Sequence, residues 1–169
     1  MKKLLFGCSL LLLVASISCS DNKDYISSKS FITEARRSGI LELSLGKLAI
    51  DKSRTYDVRK YAQQIISDYT SFNAELESLA SAKKVSTSDT LDSSQQDVYN
   101  TLNAVDGFSF DKQYIDIVVA EQKADISRFE EAAGKVDDAE VRKWAKRTLP
   151  ILQNQYKQAL VVQAILKDL

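Results

Sequence analysis

DVRKYA at residues 57–62 returns as EVRKWA at residues 140–145. Around the first copy, apolar residues recur at steps of three and four: Val58, Tyr61, Ala62, Ile65, Tyr69, Phe72, Leu76 and Leu79. That period belongs to an α-helix with one buried stripe. The second copy opens a matching run of Val141, Trp144, Ala145, Thr148, Leu152, Ala159, Val162 and Leu166. Upstream of each copy lies one more helical segment. The first covers about 30–53, with Phe31, Ala35, Leu41, Leu45, Leu48 and Ala49, and the other about 109–135, with Tyr114, Ile115, Val118, Ile126, Phe129 and Ala133. Phe31 stands eleven residues before Glu42, and Phe110 eleven before Glu121. The chain therefore reads as a helix pair loosely repeated.

Connection lengths turn this repeat into a topology. A few residues around Arg54 and Thr55 join the first pair, and Val136 joins the second, so each pair is an antiparallel hairpin. Residues 84–108 link the hairpins. They include the polar run STSDTLDSS and a stretch, 91–105, with room for a short helix. A helix of about 27 residues is about 40 Å long, and a partly extended link of this size crosses it. The expected fold is all-α: a ferritin-like four-helix bundle of two antiparallel hairpins joined by a long crossover with a short extra helix. Ser30 is the expected N-cap of the first helix. Pro150 falls inside the last helix, where it removes a backbone bond and favours a kink. The charged runs at 35–37 (ARR) and 135–143 read as solvated surface, and the apolar ending VVQAILKDL as bundle packing.

The 169 residues suit one domain, and 44% hydrophobic content suffices for a core. Lys+Arg and Asp+Glu balance at 23 each, which argues against a nucleic-acid partner held by bulk charge. The start differs from the body. Lys2 and Lys3 precede a short apolar run, Leu4 to Ile17, which is too brief for the roughly 20 residues of a membrane span. A positive start, a short apolar middle and small residues before a break describe a secretory leader. Ser18 directly before Cys19 looks like a lipobox, although Ser16 stands where such boxes usually carry Leu. Removal of 1–18 would leave one thiol, at the first residue, with no disulfide partner. We read residues 1–18 as a lipoprotein signal peptide, Cys19 as the acylation site, 19–29 as a lipid-anchored tether and 30–169 as the helical domain. The covalent lipid on Cys19 is the one attached group expected, and the membrane, through that anchor, the expected partner. Ordinary signal cleavage, releasing a soluble protein, is the competing reading. Asp21 and Asp24 resemble the acidic run that directs some lipoproteins to the outer surface, although a solvated linker explains them equally well.

Several stretches together carry a family resemblance: Phe31, Ala35, Gly39, Glu42, LGKLA (45–49), VRKYA, Asp68, FD (110–111), Tyr114, FE (129–130), VRKWA and LP (149–150). In order and spacing they resemble the bacterial envelope family of domain of unknown function 4142, over roughly residues 29–165. The resemblance implies a ferritin-like fold and a place in the cell envelope, at the outer membrane, with the membrane face left open. Members often carry histidines in the middle of helices two, three and four. Those positions fall on Tyr69, Gln122 and Gln155 here, and this chain has no histidine.

Periodicity places the same three residues on buried stripes, and Glu42 near their level, with Asp68 and Glu121 adjoining. Two uses compete for such a polar layer. A carboxylate metal site would lack the Glu-x-x-His pairs of di-iron bundles, and oxygen ligands alone would favour Mg, Ca or Mn. The favoured reading is a hydrogen-bonded layer in which Tyr and Gln satisfy one another or reach water. Without histidine no Ser-His-Asp or Cys-His set exists, and no Gly-rich phosphate loop is present. We assign no catalytic residue and no metal ligand. The expected protein is a membrane-anchored envelope lipoprotein with a non-catalytic binding or stress-protective domain, whose partner is an unidentified protein or small molecule. The competing readings are a ferritin-like metal-binding protein or oxidoreductase, and a surface-displayed interaction protein.

Overall fold

A computed structural model describes residues 25–169. The expected signal peptide at 1–18, Cys19, Asp21 and Asp24 lie outside the described residues. Five helices follow in order: α1 Ser28–Lys52, α2 Tyr56–Ala82, α3 Ser93–Asn103, α4 Gly107–Lys135 and α5 Ala139–Lys167. Helices α1, α2, α4 and α5 form the bundle, and α3 is the short extra helix of the crossover. The hairpins are α1–α2 and α4–α5. The start of α1 meets the end of α4, where Phe31 packs on Phe129 at 5.0 Å between ring centres. The middle of α2 meets the middle of α5, where Gln155 donates to Asp68 at 2.8 Å. Neighbouring bundle helices therefore run antiparallel, which the long crossover requires. No strand longer than a single bridge occurs among the described residues.

Each hairpin clamps the turn of the other. At one end, the N–H of Ile26 donates to Lys135 O (2.9 Å), and the N–H of Asp137 donates to Ile26 O (3.0 Å). Ser28 N–H adds a bond to Asp137 Oδ1 at 2.9 Å. Residues 26–29, read from sequence as tether, are thus bound to the body. The N-cap lies three residues earlier than expected: Ser27, not Ser30, supplies the capping oxygen, with Ser30 N–H as donor at 3.4 Å. At the other end Asp111, fully buried on α4, turns Oδ2 toward the α1–α2 connection. That oxygen accepts from Thr55 N–H at 3.0 Å, Thr55 Oγ1 at 2.5 Å and Arg54 N–H at 3.3 Å. Asp111→Ala should cost about 3 kcal/mol in urea unfolding, because donors at the entry of α2 lose a charged acceptor. Asp111→Asn should recover part of that loss.

The crossover is tied down by residues that read as surface. Arg36 is 7% exposed. Its guanidinium donates to Asn73 O at 3.0 Å and to Asp89 Oδ1 at 2.5 Å. Arg37 pairs with Asp92, which also caps α3 in a reciprocal box with Gln95. Two arginines on α1 thereby hold the link whose length sets the topology, so the ARR run is not free surface. Gly39 on α1 lets Asn73 of α2 approach closely: a Cβ there would stand 2.3 Å from Asn73 Oδ1. Helix α5 runs through Pro150 without a break. Pro150 lies on the exposed side, so the backbone acceptor left without its partner is open to water. The apolar ending divides by face: Val162 and Leu166 are buried, while Val161, Ile165 and Leu169 stay exposed.

Above the centre of the bundle sits an aromatic layer. Phe31, Phe72, Phe129 and Trp144 come one from each helix, with ring centres 5.0–6.0 Å apart in tilted and edge-on pairs. Trp144 is the aromatic residue of the second VRK-aromatic-Ala copy. That motif packs a helix start against the core, and Tyr69 continues the layer at 5.3 Å from Phe72.

Candidate functional site

Next to the aromatic layer the core becomes polar. Glu42 of α1 is fully buried, and neither carboxyl oxygen has a hydrogen-bond partner. Tyr61 and Tyr69 of α2 and Tyr114 of α4 all lie within the field of its carboxyl group. Gln122 of α4, also fully buried, donates through Nε2 to Tyr61 OH at 2.8 Å. Gln155 of α5 donates through Nε2 to Asp68 Oδ2 at 2.8 Å, and Asp68 Oδ1 takes Gln64 Nε2 at the same length. All four bundle helices contribute to this layer.

The expected site residues are thus brought together, with differences. Glu42, Tyr69, Gln122 and Gln155 are buried in the layer. Asp68 is half-buried and forms its rim on the α2–α5 side. Glu121 is also half-buried; its charge acts on Glu42 and on Asp125 without placing it inside. Sequence reading missed Tyr61 and Tyr114, which it assigned to packing. It also missed Asp125, 2% exposed, which accepts from Ser38 Oγ and pairs with Arg128. The signal for Asp125 was present: it lies three residues after Gln122 and four before Phe129, on the buried stripe.

The layer does not satisfy itself. Gln122 and Gln155 each give one amide N–H, but the oxygens of both amides, both oxygens of Glu42 and the hydroxyls of Tyr69 and Tyr114 have no protein partner. A buried polar group without a partner costs about 1–3 kcal/mol. The unpartnered groups are of two kinds: the amide oxygens only accept, while the phenols and the acid also carry O–H donors. Electrostatics removes the charge from the layer. Burial holds the Glu42 carboxyl as the neutral acid well above the usual carboxylate range, and the charges of Asp125 and Glu121 push the same way. Burial likewise raises Tyr61, Tyr69 and Tyr114, so they remain phenols. Asp125 is raised by burial, against the opposing effects of Ser38 and Arg128. Neutral phenols and a neutral acid supply neither a nucleophile nor a ready base.

The di-iron chemistry of ferritin-like bundles needs four carboxylates with two histidines on inward faces. These residues do not fit it. Histidine is absent from the sequence, and among the described residues no three carboxylate, thiol or imidazole groups gather to hold a metal.

The layer reaches the surface along the α2–α5 seam. A groove of about 300 Å³ is lined by Asp68, Tyr69, Phe72, Ile151, Leu152 and Gln155, among others. Nearer the start of α2, a second groove of about 370 Å³ touches Tyr61, Lys60 and Gln64 on one wall and Val161 and Val162 on the other. The Asp68–Gln155 bond stands between them. Among the described residues no helix is long and apolar enough to cross a membrane.

Comparison with known proteins agrees with this architecture. No curated protein matches the chain. A solved structure of a protein from Streptomyces coelicolor, described as secreted and as DUF305, is similar in fold, with a TM-score of 0.66. Identity is 10%, over 83% of this chain and 94% of that one, so the likeness concerns the fold alone. The sequence profile of the domain of unknown function DUF4142 matches residues 17–162, which include α1 to α4, most of α5 and every residue of the polar layer. With the profile spanning most of its length, the chain belongs to the DUF4142 family.

Proposed function

We propose that this protein is a lipid-anchored component of the bacterial cell envelope, at the outer membrane, whose helical bundle binds a small molecule through the α2–α5 seam without transforming it. The observation that carries the binding role is the pair of oxygens without protein partners on Tyr69 and Gln155, both lining a seam that is open to solvent. A core that only packed would pair such atoms or replace them with apolar groups. The anchor rests on the leader pattern and the lone thiol of Cys19. The absence of a catalytic role rests on the missing histidine and on the neutral state of the acid and phenols.

Mass spectrometry of the protein extracted gently from native membranes tests both halves. The first residue should be an acylated Cys19, and a small adduct should accompany the folded protein and leave on denaturation. A free thiol at Cys19 would remove the anchor, and the bare acylated mass under conditions that preserve non-covalent complexes would remove the binding role. Cys19→Ala should move the protein from the membrane to the soluble fraction, because two or three acyl chains at about 0.8 kcal/mol per buried methylene provide the attachment.

A further inference from the structure

The groove beside Tyr69 has two unlike ends. Its apolar end is made by Phe72, Ile151 and Leu152, and Ile151 is half exposed. Its polar end is made by Asp68, Gln155 and Tyr69. What that end has left to offer is the acceptors of Asp68 and Gln155 beside one phenol hydroxyl, which can accept or donate. The Gln155 amide gives one N–H to Asp68, its oxygen is without a partner, and the Tyr69 hydroxyl has none either. Each Asp68 oxygen takes one amide donor, whereas a carboxylate has about four acceptor sites. The cation in the groove is already engaged: Arg147 binds Glu75 Oε2 at 2.6 Å. Asp68 makes no ion pair among the described residues, so the groove carries one uncompensated negative charge at its polar end.

We propose that this groove takes a small organic amine, with its ammonium group against Asp68 and the Gln155 oxygen and its apolar body against Phe72, Ile151 and Leu152. The proposal rests on the binding role assigned to the seam and gives that role a ligand class. Three features select the class. An ammonium group brings three donors to a set of acceptors, and its charge answers Asp68. An acid of the same shape would meet Asp68 as a like charge. A volume of about 300 Å³ stands at the small end of ligand sites and matches one ring or a short chain.

The test is thermal unfolding of the full mature protein in lipid vesicles, followed by the fluorescence of its single tryptophan, Trp144. Three probes share one body and differ in the head: 2-phenylethylamine, 2-phenylethanol and phenylacetate. At about ten times its Kd the amine should raise the midpoint by about 4 °C, and the alcohol and the acid should have far smaller effects. Asp68→Asn, first checked for an unchanged circular dichroism spectrum, should weaken the amine at least about tenfold. An equal response to the alcohol or the acid, or undiminished amine binding to Asp68→Asn, overturns the amine assignment while leaving a binding groove. No response to any probe overturns the amine assignment, and if the native protein also carries no adduct, the binding role falls with it.

Discussion

Replacing Glu42 with glutamine should stabilise the protein at neutral pH, and the gain should grow as the pH rises. The side chain is fully buried, both of its oxygens lack partners, and burial holds it as the acid. In the unfolded chain a glutamate ionises at about pH 4.3. Between that value and the raised one of the folded state, the native protein binds more protons than the unfolded chain. Stability therefore falls as pH rises through this window, by about 1.4 kcal/mol per pH unit for one group. Below pH 4 both states carry the proton and the penalty vanishes. Glutamine keeps the size and polarity but cannot ionise in either state, so it removes the slope. Asp125 is raised as well and leaves a shallower decline, because Ser38 and Arg128 oppose its burial. Urea unfolding at pH 5, 6, 7 and 8 should show the wild type losing stability as the pH rises, with a slope of up to about 1.4 kcal/mol per pH unit from this group, and Glu42→Gln losing much less. Parallel pH profiles would mean that Glu42 is solvated or paired in the folded state.

The second large effect is expected at Phe129. Its ring is 1% exposed and meets Phe31, Phe72 and Trp144 at 5.0, 5.9 and 5.5 Å, so one side chain joins all four helices. Phe129→Ala should cost about 3–5 kcal/mol, the transfer loss plus the cavity left among rings that cannot all close inward. For a domain of this size, that lowers the melting midpoint by about 10 °C. Because Phe129 touches Trp144 directly, the folded-state fluorescence should also change. Phe129→Leu, which refills most of the volume, should recover much of the stability. A cost below about 1 kcal/mol would show that the aromatic layer does not hold the hairpins together.

The bundle was legible in the sequence because each long helix buries one stripe, and a stripe is a local property. The short turns at Arg54–Thr55 and Val136 and the long crossover then left one arrangement, and α3 falls inside the stretch expected to hold it. What escaped depends on contacts between distant segments. Ile26 joins the body only because Lys135 and Asp137 present their backbone to it. Arg36 looks like surface until the Asn73 carbonyl and Asp89 are placed beside it. The polar layer was half legible: Glu42, Tyr69, Gln122 and Gln155 fall on stripes. Whether their hydrogen bonds close cannot be read from periodicity, which leaves open whether the members satisfy one another or reach water. Tyr61 and Tyr114 read as packing in the sequence because a phenol ring fits a stripe as well as a phenylalanine does, and only the fold shows where the hydroxyl ends.

The most direct measurement is a crystal structure of the protein purified from its own membranes. The groove between α2 and α5 should hold density for a non-protein molecule within hydrogen-bond distance of Asp68 or Gln155, with Ile151 resting on its apolar part. A groove closed by Ile151 and Phe72, with Glu42, Tyr69 and Gln155 bonded to one another, would contradict the account and leave the layer a structural feature alone.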